Sequence, residues 1–132
     1  MTDYNDYFEE VIQAHIAIEQ WFAGTASDGA LELLLERFSP QFSMVTPGGK
    51  QLDFYALSAL FKQAGAKKPG FKIHLSELRG LALHAHGATV SYREQQIDGT
   101  GVRTERLSTV VFEKQASGAL LWRHLQETFC EG

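Results

Sequence analysis

The hydrophobic pattern of this chain changes period once, near Phe71, and that change constrains the fold more than any other feature. Before it, apolar residues recur every three or four positions, the spacing of helices buried along one stripe. After it they alternate, the spacing of strands with one buried face. Residues 3–23 predict a helix with Tyr4, Tyr7, Phe8, Val11, Ile12, His15, Ile18, Trp21 and Phe22 on one stripe. Thr2 or Asp3 is placed to cap it, and Gly24 to end it. Residues 30–38 predict a second helix, capped from Ser27-Asp28 and stopped by Pro40. Residues 41–46 alternate as a short strand that closes in the turn Pro47-Gly48-Gly49. Asp53 caps a third helix with the stripe Phe54, Leu57, Leu60 and Phe61, and Gly65 closes it.

Four strands are predicted beyond the change: 71–83 with a bulge at Gly80, 89–97, 103–113 and 120–129. The run Asp98-Gly99-Thr100-Gly101 is a strong hairpin turn between the second and third. Helix, helix, strand, helix and then four antiparallel strands is the order of an α+β fold. Long bulged strands curl rather than lie flat. The expected architecture is therefore a curved antiparallel sheet wrapped around three N-terminal helices, a cone with a pocket at its open end. No repeat or linker interrupts it, so residues 1–132 read as one domain.

Composition narrows the function classes. A hydrophobic fraction of 44% builds a core without staples. The net charge is −4, and Lys67-Lys68 is the only adjacent basic pair, which argues against nucleic acid. The one cysteine, Cys130, forms no internal disulfide and has no basic neighbour in sequence to activate it. No leader pattern opens the chain, and no apolar run approaches the ~20 residues of a membrane span. A cytoplasmic protein without membrane contact is expected. No Ser-His-Asp set, glycine-rich phosphate loop or zinc spacing is present, so no cofactor and no metal is expected; His84-Ala-His86 lacks a third ligand nearby.

The element order, the stretch from Phe38 to Gly49, and a final strand of the form Trp122-Arg-His-Leu-Gln-Glu127 resemble the nuclear transport factor 2-like superfamily. Its members include ketosteroid isomerases and SnoaL-like cyclases. The resemblance implies a cystatin-like cone and a ligand pocket. It also implies departures. Where the isomerases carry their general-base aspartate, this chain aligns Thr46; where they carry the oxyanion-hole aspartate, it aligns Ser108. A neutral threonine accepts no proton near neutral pH, so isomerase chemistry by that route is not expected.

Cross-strand pairing in the Asp98 hairpin identifies the pocket face. Setting Glu94 opposite Arg106, Tyr92 opposite Ser108 and Val90 opposite Val110 avoids facing like charges. A shift of one residue would oppose Arg93 with Arg106; a shift of two, opposing Arg93 with Glu105, stays open. In the preferred register Val90, Tyr92, Glu94, Arg106, Ser108, Val110 and Phe112 share a face, apolar below and polar above, as a ligand cone requires. The plainer reading of Glu94 and Arg106 is a cross-strand ion pair. On the last strand the resemblance turns Trp122, His124, Gln126 and Thr128 inward. His124 then becomes the candidate acid or base, and Gln126 a wall residue. Trp21, Thr46 and Trp122 complete the candidate wall. His15, on the first helix, reads as a satisfied core histidine that could also reach the pocket.

Two functions remain. One is binding of a small, partly apolar ligand, with isomerase, cyclase or lyase chemistry lacking the ketosteroid isomerase carboxylates. The other is a non-catalytic homodimer through the outer sheet face, where Leu107, Val111, Leu121 and Leu125 are expected to lie.

Overall fold

The computed structural model describes residues 3–130. Three helices and six strands follow in the order α1 (Asn5–Ala23), α2 (Ala30–Leu35), β1 (Phe38–Val45), β2 (Gln51–Asp53), α3 (Phe54–Ala64), β3 (Lys72–His84), β4 (Gly87–Ile97), β5 (Arg103–Lys114) and β6 (Leu120–Phe129). The strands form one sheet in the order β2-β1-β6-β5-β4-β3. Every pairing is antiparallel except β1 with β6, which run parallel. The α+β fold expected from the periodicity is therefore present, with one parallel pair in its sheet.

Helix α1 lays Tyr7, Val11, His15 and Phe22 into the core along the predicted stripe, with Ala14 buried beside them. Its C-terminus is the left-handed Gly24, whose N–H returns to the Gln20 carbonyl. The N-terminus differs from expectation. Tyr4 occupies the cap position without a side-chain bond, while Asp3 accepts from the Asn5 N–H at 3.0 Å. Thr2, the other expected cap, lies outside the described residues. Asp53 caps α3 as expected, accepting from the Ala56 N–H at 2.8 Å. Helix α2 is shorter than predicted, and Gly29 precedes it rather than a side-chain cap from Ser27 or Asp28.

Phe38 belongs to β1, not to α2, because its ring is claimed by the core. It packs 5.8 Å from Trp122 and 4.9 Å from Phe42, and the Trp122 N–H donates to the Arg37 carbonyl. Pro40 therefore sits inside β1. It falls where the β1–β6 register shifts between Phe38 and Ser43, so its missing N–H breaks no regular ladder. Strand β2, three residues long, carries no readable period.

The β4–β5 hairpin adopts the register with Glu94 opposite Arg106 and Tyr92 opposite Ser108. Asp98 holds its turn, accepting from the Thr100 N–H, the Thr100 hydroxyl and the Val102 N–H. Strand β3 shifts register at Gly80–Ala82, as expected, and again between Ser76 and Arg79, where Glu77 has a φ of 53°.

The consequential irregularity is in β6. Phe112 pairs with Trp122, yet Val111 pairs with His124, so Arg123 is an extra residue. One bulged residue reverses the side-chain alternation. Trp122 points inward, and beyond it Leu125 and Glu127 are buried while Gln126 and Thr128 are exposed. The expectation that His124, Gln126 and Thr128 follow Trp122 into the cone is thus corrected. So is the expectation that Leu125 and Glu127 lie on the outer face.

Candidate functional site

The curled sheet and the helices border a half-open cavity of about 460 Å³. One wall is apolar: Phe38, Phe42 and Met44 from β1, Leu52 from β2, and Leu57, Leu60 and Phe61 from α3. The opposing wall comes from α1 and three adjacent strands, and it carries His15, Glu94, Gln96, Arg106 and Glu127. The volume and the mix of walls suit a small organic ligand.

The polar wall is built from two linked ion pairs. His15 Nδ1 lies 2.7 Å from the Val11 carbonyl, and its Nε2 lies 3.1 Å from Glu94 Oε1. A carbonyl only accepts, so Nδ1 carries a proton. The Nε2–Oε1 contact then needs a second proton, either on the imidazole or on the carboxyl. Burial, the largest influence on His15, lowers its pKa; the charge and hydrogen bond of Glu94 outweigh it and raise the net value above 6.5. Burial likewise opposes ionisation of Glu94, but His15, Gln96 and Arg106 together hold its carboxyl down at about 2. The pair is therefore imidazolium and carboxylate. Gln96 Nε2 donates to the second Glu94 oxygen at 2.7 Å.

Arg106 completes the second pair, donating from Nη1 to Glu127 Oε1 at 3.2 Å. The Ser108 hydroxyl donates to Glu127 Oε2 at 3.0 Å. Burial, and next the negative charge of Glu94, push the Glu127 carboxyl above its usual 4.5. The two carboxyls on one wall are thus driven apart, one fixed as an anion and one more ready to hold a proton. Such separation is the arrangement by which acid and base roles are divided. Arg106 Nε is buried without a hydrogen-bond partner, as is the Tyr92 hydroxyl. Burial, reinforced by Glu94 and Glu127, keeps the Tyr92 phenol well above its normal range and so protonated.

The residues singled out from the sequence separate into three groups. Thr46, Glu94, Arg106 and Trp122 border the cavity. Tyr92 and Ser108 are buried beside them, Ser108 supporting Glu127. Trp21, His124 and Gln126 do not border it. The Trp21 indole donates to the Phe61 carbonyl at 2.6 Å and packs at Gly65, tying α1 to α3. His124 shares a 2.7 Å hydrogen bond with Ser43 on the outer face, a consequence of the Arg123 bulge. Glu94 and Arg106 face each other but bond elsewhere, to His15 and Glu127, so the simple cross-strand pair is also corrected.

Glu127 escaped the sequence reading because bulge parity hid it. His15 was visible as the one histidine in the α1 stripe. Cys130 acquires a basic neighbour through the fold, with Arg93 Nη1 3.5 Å from its sulfur. Among the described residues no helix is long and apolar enough to cross a membrane.

Comparison with known proteins agrees with this fold. No family model matches the chain, nor does any curated protein. Solved structures do. An NTF2-like protein of unknown function from Pseudomonas aeruginosa superposes with a TM-score of 0.91 at 49% identity, over 95% of this chain and 98% of that one. An uncharacterised protein with a cystatin-like fold from Caulobacter vibrioides matches at TM-score 0.67 and 19% identity, covering 96% and 89% of the two chains. The association domain of C. elegans CaMKII matches at 0.72 and 14% identity, covering 94% and 93%. The last two speak for the fold alone. The first, sharing nearly half its residues over almost the whole of both chains, shows that this protein belongs to the NTF2-like family.

Proposed function

We propose that the protein binds a small, largely apolar molecule in the cone, with a polar group of that molecule set against Glu94, Arg106 and Glu127. One observation carries the reading: a half-open cavity of about 460 Å³ is lined by apolar side chains on one part and by paired ionisable groups on another. Burying such groups is costly unless they are paired and hydrogen-bonded. A wall of them bordering a cavity is more expensive than an apolar filling would be, which favours a role in recognition or proton transfer. The chemistry that fits is of the isomerase, cyclase or lyase kind. Glu127 is suited to give a proton, Arg106 to stabilise developing negative charge, and the His15–Glu94 pair to hold the field in place. Thr46 and Ser108, lacking carboxyls, leave this work to Glu94 and Glu127.

The test is binding of a neutral apolar fluorophore, N-phenyl-1-naphthylamine. Saturable binding of one molecule per chain with quenching of Trp122 is expected. Leu60→Glu, at a half-open position on the cavity wall, is expected to weaken it at least tenfold while the far-ultraviolet circular dichroism stays unchanged. Absence of saturable binding, or binding indifferent to Leu60→Glu, would overturn the reading.

A second reading, a homodimer through the outer sheet face, draws support from Leu107, which is 48% exposed there. Val111, four residues further along β5, and Leu121, opposite Glu113, are partly buried on the same face. Sedimentation equilibrium at micromolar concentration tests it: a dimer that Leu107→Glu dissociates is the expected outcome, and a monomeric parent protein the contrary one. A cytoplasmic setting is consistent with a single cysteine that has no disulfide partner in the chain.

A further inference from the structure

The cations on the cavity wall are not equivalent. Among the described residues, His15 faces Glu94 and Arg106 faces Glu127, each within ion-pair distance. Lys68 has no such carboxylate. Its ammonium is held instead over two aromatic faces, 5.1 Å from the Phe22 centroid and 5.0 Å from that of Phe71. Cation–π contact positions a charge without neutralising it. Lys68 lies four residues beyond the end of α3, in the exposed 66–70 segment that leads to β3.

Lys68 and Gln96 also border a second, more open groove of about 630 Å³. That groove runs along Lys67, Pro69 and the Asp98–Thr100 turn. Asp98 is the one acid lining it, and its Oδ1 is occupied by three donors of its own turn. Two lysines against one engaged carboxylate leave the groove positive. The cavity and the groove therefore meet at an ammonium with no carboxylate partner among the described residues.

We propose that the ligand is an amphipathic carboxylate. Its apolar body fills the cone, and its carboxylate sits at the rim against Lys68, with the groove beyond open to the head group. The inner polar wall, where His15 and Arg106 each already face a carboxyl, takes an uncharged polar group of the same molecule. This inference rests on the cavity reading above and adds the charge and orientation of what enters.

The experiment is calorimetric titration of the wild-type protein and of Lys68→Met with two matched probes, octanoate and octanol. Methionine keeps the apolar stem and removes the charge. The wild type is expected to prefer octanoate by about tenfold, the scale of one charge-assisted hydrogen bond. In Lys68→Met that preference is expected to fall to within about twofold. Octanol binding as tightly as octanoate to the wild type would overturn the proposal and leave the cavity reading standing. A preference that survives in Lys68→Met would also overturn it, pointing to Arg106 as the anion site. If neither probe binds, the cavity reading fails and this proposal falls with it.

Discussion

Replacing Glu94 by glutamine should reverse the sign of the pH dependence of stability near neutrality. In the wild type the His15 pKa is raised above 6.5, so the folded state holds a proton that the unfolded state releases. The stability from this proton is fully present below pH 6.5 and is lost as pH rises through the folded value. Glu94, held at about 2, contributes above its ordinary 4.5 and loses its contribution as pH falls through 2. The pair therefore stabilises most between about pH 4.5 and 6.5. Raised Glu127 acts in the same direction, favouring the folded state at lower pH.

The fall of the Glu94 pKa from 4.5 to about 2 corresponds to about 3 kcal/mol, counted once for the coupled pair. In Glu94→Gln the amide can donate to an unprotonated Nε2 while Nδ1 still donates to Val11. Burial then governs His15, and its pKa drops below 6.5. Urea unfolding followed by tryptophan fluorescence at pH 5.5 and pH 8 measures the outcome. Wild-type stability should decline between these values, and that of the variant should rise. At pH 5.5 the variant should be less stable by about 1–3 kcal/mol. A variant whose stability still declines with pH in parallel with the wild type would refute the assignment of the proton to the His15–Glu94 contact.

Three further perturbations test the frame. Leu125→Asp should destabilise by about 3 kcal/mol or more, and Gln126→Asp by about 0.5 or less, because the Arg123 bulge buries the first and exposes the second; equal costs in thermal unfolding would mean the bulge is misplaced. Gly65→Ala puts a methyl 2.7 Å from the Trp21 ring, and a loss of about 1–3 kcal/mol with a shifted tryptophan emission is expected. The Gly65 φ of −58° removes backbone strain as an alternative cause. Asp53→Ala should cost about 1 kcal/mol through the lost α3 cap, and Asp53→Ser should restore most of it in chemical denaturation.

How much of this was readable in the residues follows from which signals are local. The stripes of α1 and α3, the Asp53 cap and the β4–β5 register were legible, because periodicity, a capping side chain and like-charge avoidance act over short spans. The start of β1 was not, because Phe38 continues the α2 stripe and only its tertiary contacts with Phe42 and Trp122 pull it into a strand. The β6 bulge was the costly omission. Trp122-Arg-His-Leu alternates well enough as a plain strand, and nothing local marks Arg123 as extra. Its side chain bonds the Gln41 carbonyl and Glu113 on neighbouring strands, partners visible only in the fold. That one residue moved the candidate acid from His124 to Glu127 and brought Leu125 inside. His15 was recognised as buried, but its partner lies 79 residues away on β4, beyond any pattern in the α1 sequence.

The most direct measurement is a crystal structure, with native mass spectrometry, of protein purified from the cells that naturally make it. The predicted result is a bound small molecule in the cone, its mass matching between the two methods, with a polar atom within hydrogen-bond distance of Arg106 or Glu127. A cavity closed by its own apolar side chains, with the native mass equal to that of the bare chain, would contradict it.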